Sequence, residues 1–150
     1  SQMSKEMYQE FIHPRLHKLF SEFSKAEIKL WHNEGRSVHI KDKITDIGCN
    51  VYHFGADDFQ DLRSATAGKV CLMGNLHPVE VLKNGNLSSI SRELEKIYEF
   101  SQKEDGVIVS GGGGLAPGTK IVNILYMKES LDQLKQDDLA KTEEEDSDED

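Results

Sequence analysis

The sequence predicts an α/β fold of parallel strands alternating with helices, and three observations carry that reading. Short β-type runs, Val70-Cys71-Leu72-Met73 and Val107-Ile108-Val109, each stop on glycine and open into a loop before a helix-like segment. The same unit recurs about four times, behind one leading helix. Between the last strand and the last helix stand four consecutive glycines, Gly111 to Gly114. Such a run suits a backbone that takes unusual dihedrals or passes close to another chain segment. In parallel βα folds the loops at the C-terminal ends of the strands hold the chemistry.

Taken in order, Lys5 to Ser24 reads as a helix, because Met7, Tyr8, Phe11, Leu16, Leu19 and Phe23 recur at helical spacings. Pro14 interrupts it, so the helix bends there or a second one begins. This broad apolar face needs a cover. Glu27 to His32 alternates and reads as the first strand, followed by the Asn33-Glu34-Gly35 loop. Ser37 to Ile47 has a helix-like pattern of Val38, Ile40, Ile44 and Ile47, stopped by Gly48. Asn50 to Phe54 is the second strand and Phe59 to Ala67 a short helix closed by Gly68. Lys69 to Met73 is the third strand, closed by Gly74-Asn75-Leu76-His77-Pro78. Pro78 suits the first turn of a helix over Val79 to Leu82. Ser88 to Ser101 is a longer helix, Gly106 to Ser110 the fourth strand, and Ile121 to Leu134 the last helix.

A chain of 150 residues fits one domain. Its net charge of −9 is concentrated at one end: residues 137–150 hold nine acids and one lysine, leaving −1 for residues 1–136. The nearly neutral part gives no basic footprint for nucleic acid. The acidic end has too little apolar surface to fold and is expected to be a disordered tail, with Ser147 a candidate phosphorylation site. Cys49 and Cys71 lie in apolar runs and read as reduced thiols. With no leader and no membrane span expected, the reading is cytoplasmic.

Four strand ends present polar groups toward one rim: His32, Asn33 and Glu34; Asp57 and Asp58; Asn75 and His77; and the loop Ser110 to Gly114. His32 and Glu34, two apart on a strand, share a face and are the candidate metal pair. Asp57 and Asp58 suit the cap of the next helix. Asn75 and His77 fit either a rim site or a turn with a cap. The glycine run has neither the GxxxxGK spacing of a phosphate loop nor GxGxxG.

These pieces resemble the C-terminal half of the uroporphyrinogen decarboxylase superfamily, which includes the decarboxylase and methyltransferases moving methyl groups between corrinoids and thiols. The opening MSKEMYQEFIHPRLHKLF is similar to the family's MYxEFxxPxLKxI helix, and LWHNEG to its strand ending in LHxCG. VCLMGNLHPVEVLKNG resembles GNLDPxxLLxGT, and GGGGLAPGTKIVNI resembles GCGIPPxTPxENI. The resemblance implies a partial TIM-type barrel, four of eight strands. The other four would come from a second copy in a homo-oligomer, a separate N-terminal half, or the rest of a longer protein. It also implies a catalytic role for His32, Glu34 and His77, and substrate contacts from Asn75, Gly112, Gly113 and Gly114. The thiol methyltransferases hold zinc with His-x-Cys and a later Cys. Here His32 keeps the first position, Glu34 stands at the first Cys, Gly113 at the second, and His77 replaces the Asp of GNLDP.

The leading functional expectation is the methyltransferase branch, with zinc or a corrinoid as cofactor. Alternatives are a decarboxylase acting on a tetrapyrrole, and a non-catalytic scaffold that binds one.

Overall fold

The computed structural model describes the backbone of residues 3–148 and the side chains of residues 3–140. The leading helix is one continuous rod with a widened turn: α1 (Lys5–Met7), a π turn (Tyr8–Ile12), then α2 (His13–Glu22). Ser4 caps its start by accepting from the Met7 N–H at 3.2 Å. Pro14 sits in the first turn of α2, and the π turn before it absorbs the bond that proline cannot donate.

Four strands follow: β1 (Leu30–Asn33), β2 (Val51–Phe54), β3 (Cys71–Leu76) and β4 (Val107–Gly111). They form one wholly parallel sheet in the order β1-β2-β3-β4. Between them run α3 (Phe59–Thr66), a π turn (Pro78–Lys83) and α4 (Leu87–Lys103), and α5 (Ile121–Asp148) comes last. Consecutive parallel strands joined by helical crossovers are the arrangement of a partial TIM-type barrel.

The two faces of the sheet differ. Side chains alternate across a strand, and the face carrying Tyr52, Phe54, Leu72 and Leu76 is fully buried against Leu62, Leu82, Ile90 and Leu94. The opposite face carries Leu30, His32, His53, Met73 and Ile108, and its edge residues Leu30 and Ile108 are each 42% exposed.

Four local expectations change. β1 starts at Leu30 rather than Glu27, because the Asn50 side chain takes the preceding backbone. Its Oδ1 accepts from the Lys29 N–H and its Nδ2 donates to the Glu27 carbonyl. Residues 37–47 form two single 3₁₀ turns (Lys41–Lys43 and Thr45–Ile47) instead of a helix. The Ser37 N–H is claimed by Asp57 Oδ2 at 2.8 Å, and tight turns present Ile40, Ile44 and Ile47 to the core as well as a helix does. β3 continues through Gly74 and Asn75 to Leu76, paired with Val109, Ser110 and Gly111. Glycine permits this, since a Cβ at Gly74 would sit 2.7 Å from the Phe54 carbonyl oxygen. Finally, α5 carries helical backbone to Asp148, across most of the stretch for which the sequence predicts a disordered tail; residues 149 and 150 lie outside the described residues. Pairs four apart, Lys128 with Asp132 and Gln133 with Asp137, favour its continuation.

Both cysteines are free thiols. Among the described residues no helix is long and apolar enough to cross a membrane.

Candidate functional site

His32 on β1 and His53 on β2 are register partners, so their side chains leave the sheet on the same open face. Their Nδ1 atoms are 2.8 Å apart and their ring centroids 4.6 Å. His53 Nε2 lies 2.8 Å from the carbonyl oxygen of Gly111 at the end of β4. A carbonyl only accepts, so this nitrogen carries a hydrogen, and neutral His53 then accepts through Nδ1. The hydrogen between the two rings therefore belongs to His32 Nδ1.

Glu34 closes the other end. Its Oε1 accepts from the Gly114 N–H at 2.7 Å and stands 3.4 Å from His32 Nε2. The backbone N–H of Gly114, and then His32, hold this carboxyl below the usual carboxylate range. An ionised carboxylate can only accept, so a proton on His32 Nε2 completes the chain. With both contacts made as hydrogen bonds from His32, the ring would carry hydrogens on both nitrogens. The row Gly111 carbonyl, His53, His32, Glu34, Gly114 N–H thus spans the sheet from β1 to β4, with His32 Nε2 and Glu34 at its exposed end. At 3.4 Å the outer contact is long for an N–H···O bond, whose usual length is about 2.9–3.0 Å. Another polar group can therefore compete with Glu34 for His32 Nε2.

The glycine run is shaped to this row. A Cβ at Gly113 would meet Glu34 Cγ at 2.9 Å, and its φ of +120° is one that other residues rarely adopt. Gly112 passes Gly55 just as closely, with a Cβ there 2.9 Å from the Gly55 carbonyl oxygen. Gly112 and Gly113 thus admit the crossing of two loops, and Gly114 supplies the N–H that fixes Glu34.

The remaining rim residues face other tasks. His77 is not brought to His32 and Glu34. Because β3 runs on to Leu76, His77 opens the following π turn and its Nδ1 accepts from the Val79 and Glu80 N–H groups at 3.3 and 3.1 Å. It lines an outer groove between α3 and α4 together with Asp58, Arg92 and Lys96. Asn75 donates through Nδ2 to the Asp57 carbonyl at 2.7 Å, tying β3 to the loop before α3. Asp58 caps α3 by accepting from the Gln60 and Asp61 N–H groups. Asp57 is instead buried, with Oδ2 holding the N–H and hydroxyl of Ser37.

Two residues that sequence reasoning missed matter here. His53 sits in a run of apolar neighbours, and its signal is parity alone: it faces the same side as His32 once the register is fixed. Asn123, buried in α5, donates to the Leu82 carbonyl at 2.8 Å and locks the last helix to the π turn.

The residues present do not fit a three-ligand zinc site. Among the described residues no group of three or more His, Cys, Asp or Glu side chains gathers as a metal site. Gly113 offers no side chain at the position where the resemblance places a third ligand.

The family described as Uroporphyrinogen decarboxylase (URO-D) matches residues 1–134. A uroporphyrinogen decarboxylase of Wigglesworthia glossinidia brevipalpis is 32% identical over 93 residues, which is 61% of this chain and 25% of that protein. A solved methyltransferase from Methanosarcina mazei superposes with a TM-score of 0.77 at 20% identity, covering 89% of this chain and 38% of the other. At that identity the likeness shows the fold. The matches span a quarter of the curated relative and under two fifths of the solved one.

Proposed function

The chain belongs to the uroporphyrinogen decarboxylase family, and on that premise we propose that it acts in methyl transfer, with His32 as the acid that protonates the atom the methyl group leaves. The observation that supports this is the proton row from His53 through His32 to Glu34. In the reaction the bond between the methyl carbon and a heteroatom breaks, and its electron pair stays on the heteroatom. That atom then takes the proton from His32 Nε2. A corrinoid, when bound, would supply the electron pair that forms the new bond to the methyl carbon. His53 holds the His32 ring in one orientation, and Glu34 stabilises the charged ring before transfer. General acid catalysis of this kind contributes about 10²- to 10⁴-fold.

The test is methylation of reduced cobalamin followed by absorbance, using methyl donors that differ in the basicity of the leaving atom. His32→Gln is expected to slow alcohol-type donors by about 10²-fold or more, and to slow donors with weakly basic leaving groups far less. An equal loss for both kinds would remove the acid role. No turnover by the wild-type protein with any donor would favour the scaffold reading.

A second reading is carried by the 32% identical decarboxylase segment. There the same proton goes to the carbon that has lost carbon dioxide. Conversion of uroporphyrinogen to a coproporphyrinogen-type product would support it over methyl transfer.

A further inference from the structure

The two histidine rings on the open face meet at an angle. A straight N–H···N bond would place each ring centroid one ring radius beyond its nitrogen, about 5 Å from the other for this separation. His32 and His53 have Nδ1 atoms 2.8 Å apart, but their centroids are only 4.6 Å apart and their planes are tilted by 54°. The contact is therefore bent, and bent hydrogen bonds are weak. Two nitrogens bound to one metal ion, at about 2.0–2.1 Å each, stand about 2.8–3.4 Å apart, with their axes turned toward the ion. The separation and the bend both suit a shared ion.

The far nitrogen of each ring is anchored as in a histidine that binds metal. Such a ring donates its second N–H to a carbonyl or a carboxylate, which fixes the tautomer and aims the bare nitrogen. His53 Nε2 lies 2.8 Å from the Gly111 carbonyl oxygen, and His32 Nε2 lies 3.4 Å from Glu34 Oε1. Glu34 is itself held by the Gly114 N–H. Neutral rings with hydrogens on both Nε2 atoms turn two bare Nδ1 lone pairs on each other. Something positive must stand between them. A cation of single charge does what the extra hydrogen does, and leaves both rings neutral.

A third donor lies in register. Met73 on β3 pairs with His53 and shares its face. Neighbouring strands lie about 4.8 Å apart, a gap that a flexible thioether side chain can cross. Imidazole and thioether together suit copper(I). The set differs from the zinc arrangement of the thiol methyltransferases. Glu34 lies beyond the far nitrogen of His32, and Gly113 has no side chain.

We infer that His32 Nδ1, His53 Nδ1 and the Met73 thioether form a copper(I) site on the open face of the sheet. The ion takes the place of the hydrogen between the rings: two nitrogen–copper bonds and one sulfur–copper bond form, one proton leaves to solvent, and no electron moves. The His32 side chain is 45% exposed, which gives the ion a path in. The ion's place follows from the rings and Met73, whichever reaction the chain performs.

The test is anaerobic competition between the purified full chain and bicinchoninate for copper(I). One copper(I) per chain is expected to be withdrawn from the chelator. Affinity is expected to fall by about 10- to 100-fold in Glu34→Gln, whose carboxylate only steadies a ligand, and further in His53→Gln. X-ray absorption of the loaded chain should show nitrogen and sulfur neighbours, with the sulfur lost in Met73→Leu, a swap of similar volume that keeps the fold. Cys71 lies two residues before Met73 on the same strand, and Cys71→Ser is expected to bind as the wild type does. Failure to take copper(I) from the chelator would overturn the inference. So would binding unchanged in His53→Gln, binding lost in Cys71→Ser, or a sulfur neighbour that survives Met73→Leu.

Discussion

The two faces of one sheet do different work. On the helix-covered face Tyr52, Phe54 and Leu72 are fully buried, and every neighbouring element packs onto them. On the other face, one residue away along each strand, the same backbone presents half-exposed apolar side chains and the polar row of His32 and His53. Strand parity thus separates the packed core from the polar row. A substitution's effect should follow its face more than its position in the chain.

The sharpest way to break that contrast is to truncate equivalent positions on the two faces. Phe54→Ala is expected to cost about 3–5 kcal/mol of folding stability. Ile108→Ser, at 42% exposure, should stay within about 0.5 kcal/mol. Urea denaturation of both variants checks this, and similar losses would erase the distinction.

Next in size is the glycine crossing that positions Glu34. Gly113→Ala places a methyl group against Glu34 at a positive φ, which should cost about 1–3 kcal/mol. It should also displace the carboxylate from the Gly114 N–H. A folded variant with the Gly114 amide resonance unmoved would show that the crossing tolerates a side chain.

The covered face also predicts how the fold fails in base. Burial raises Cys49 to about 11, and Tyr8 and Tyr52 to about 12. Raised acids stay neutral in the folded chain while the unfolded chain ionises first, so stability is complete below pH 9 and declines as pH rises from about 9 to 12. Thermal melts across that window check the sign. The effect on the open face is smaller and runs the other way. Glu34, with its pKa lowered, keeps its contact above the usual carboxylate range and loses it as the solution becomes acidic. The Gly114 amide shift in an acid titration reports it.

Much of the fold was legible because periodicity and stop signals agreed. The α4 region shows this: Ile90, Leu94 and Ile97 mark one face, and Asn86 caps its start by accepting from the Ser89 N–H at 2.9 Å. Residues 37–47 were misread because apolar spacing of three and four suits a helix and successive 3₁₀ turns alike, and the deciding anchor, Asp57, lies twenty residues away. At β3 the glycine that reads as a stop is a glycine that lets two strands approach. The rim was legible in part. His32, Glu34 and the glycine loop do converge, whereas His77 became a cap once β3 proved longer. His53 was invisible because only strand register reveals which face a lone histidine takes.

What sets the row apart is where its protons sit. Nitrogen NMR of the imidazole side chains, recorded where Glu34 is ionised, tests it directly. The row requires His53 with its hydrogen on Nε2 and His32 with hydrogens on both nitrogens, and it requires the Nε2 hydrogen of His32 to be lost in Glu34→Gln. A single neutral tautomer of His32, unchanged by that substitution, would contradict it.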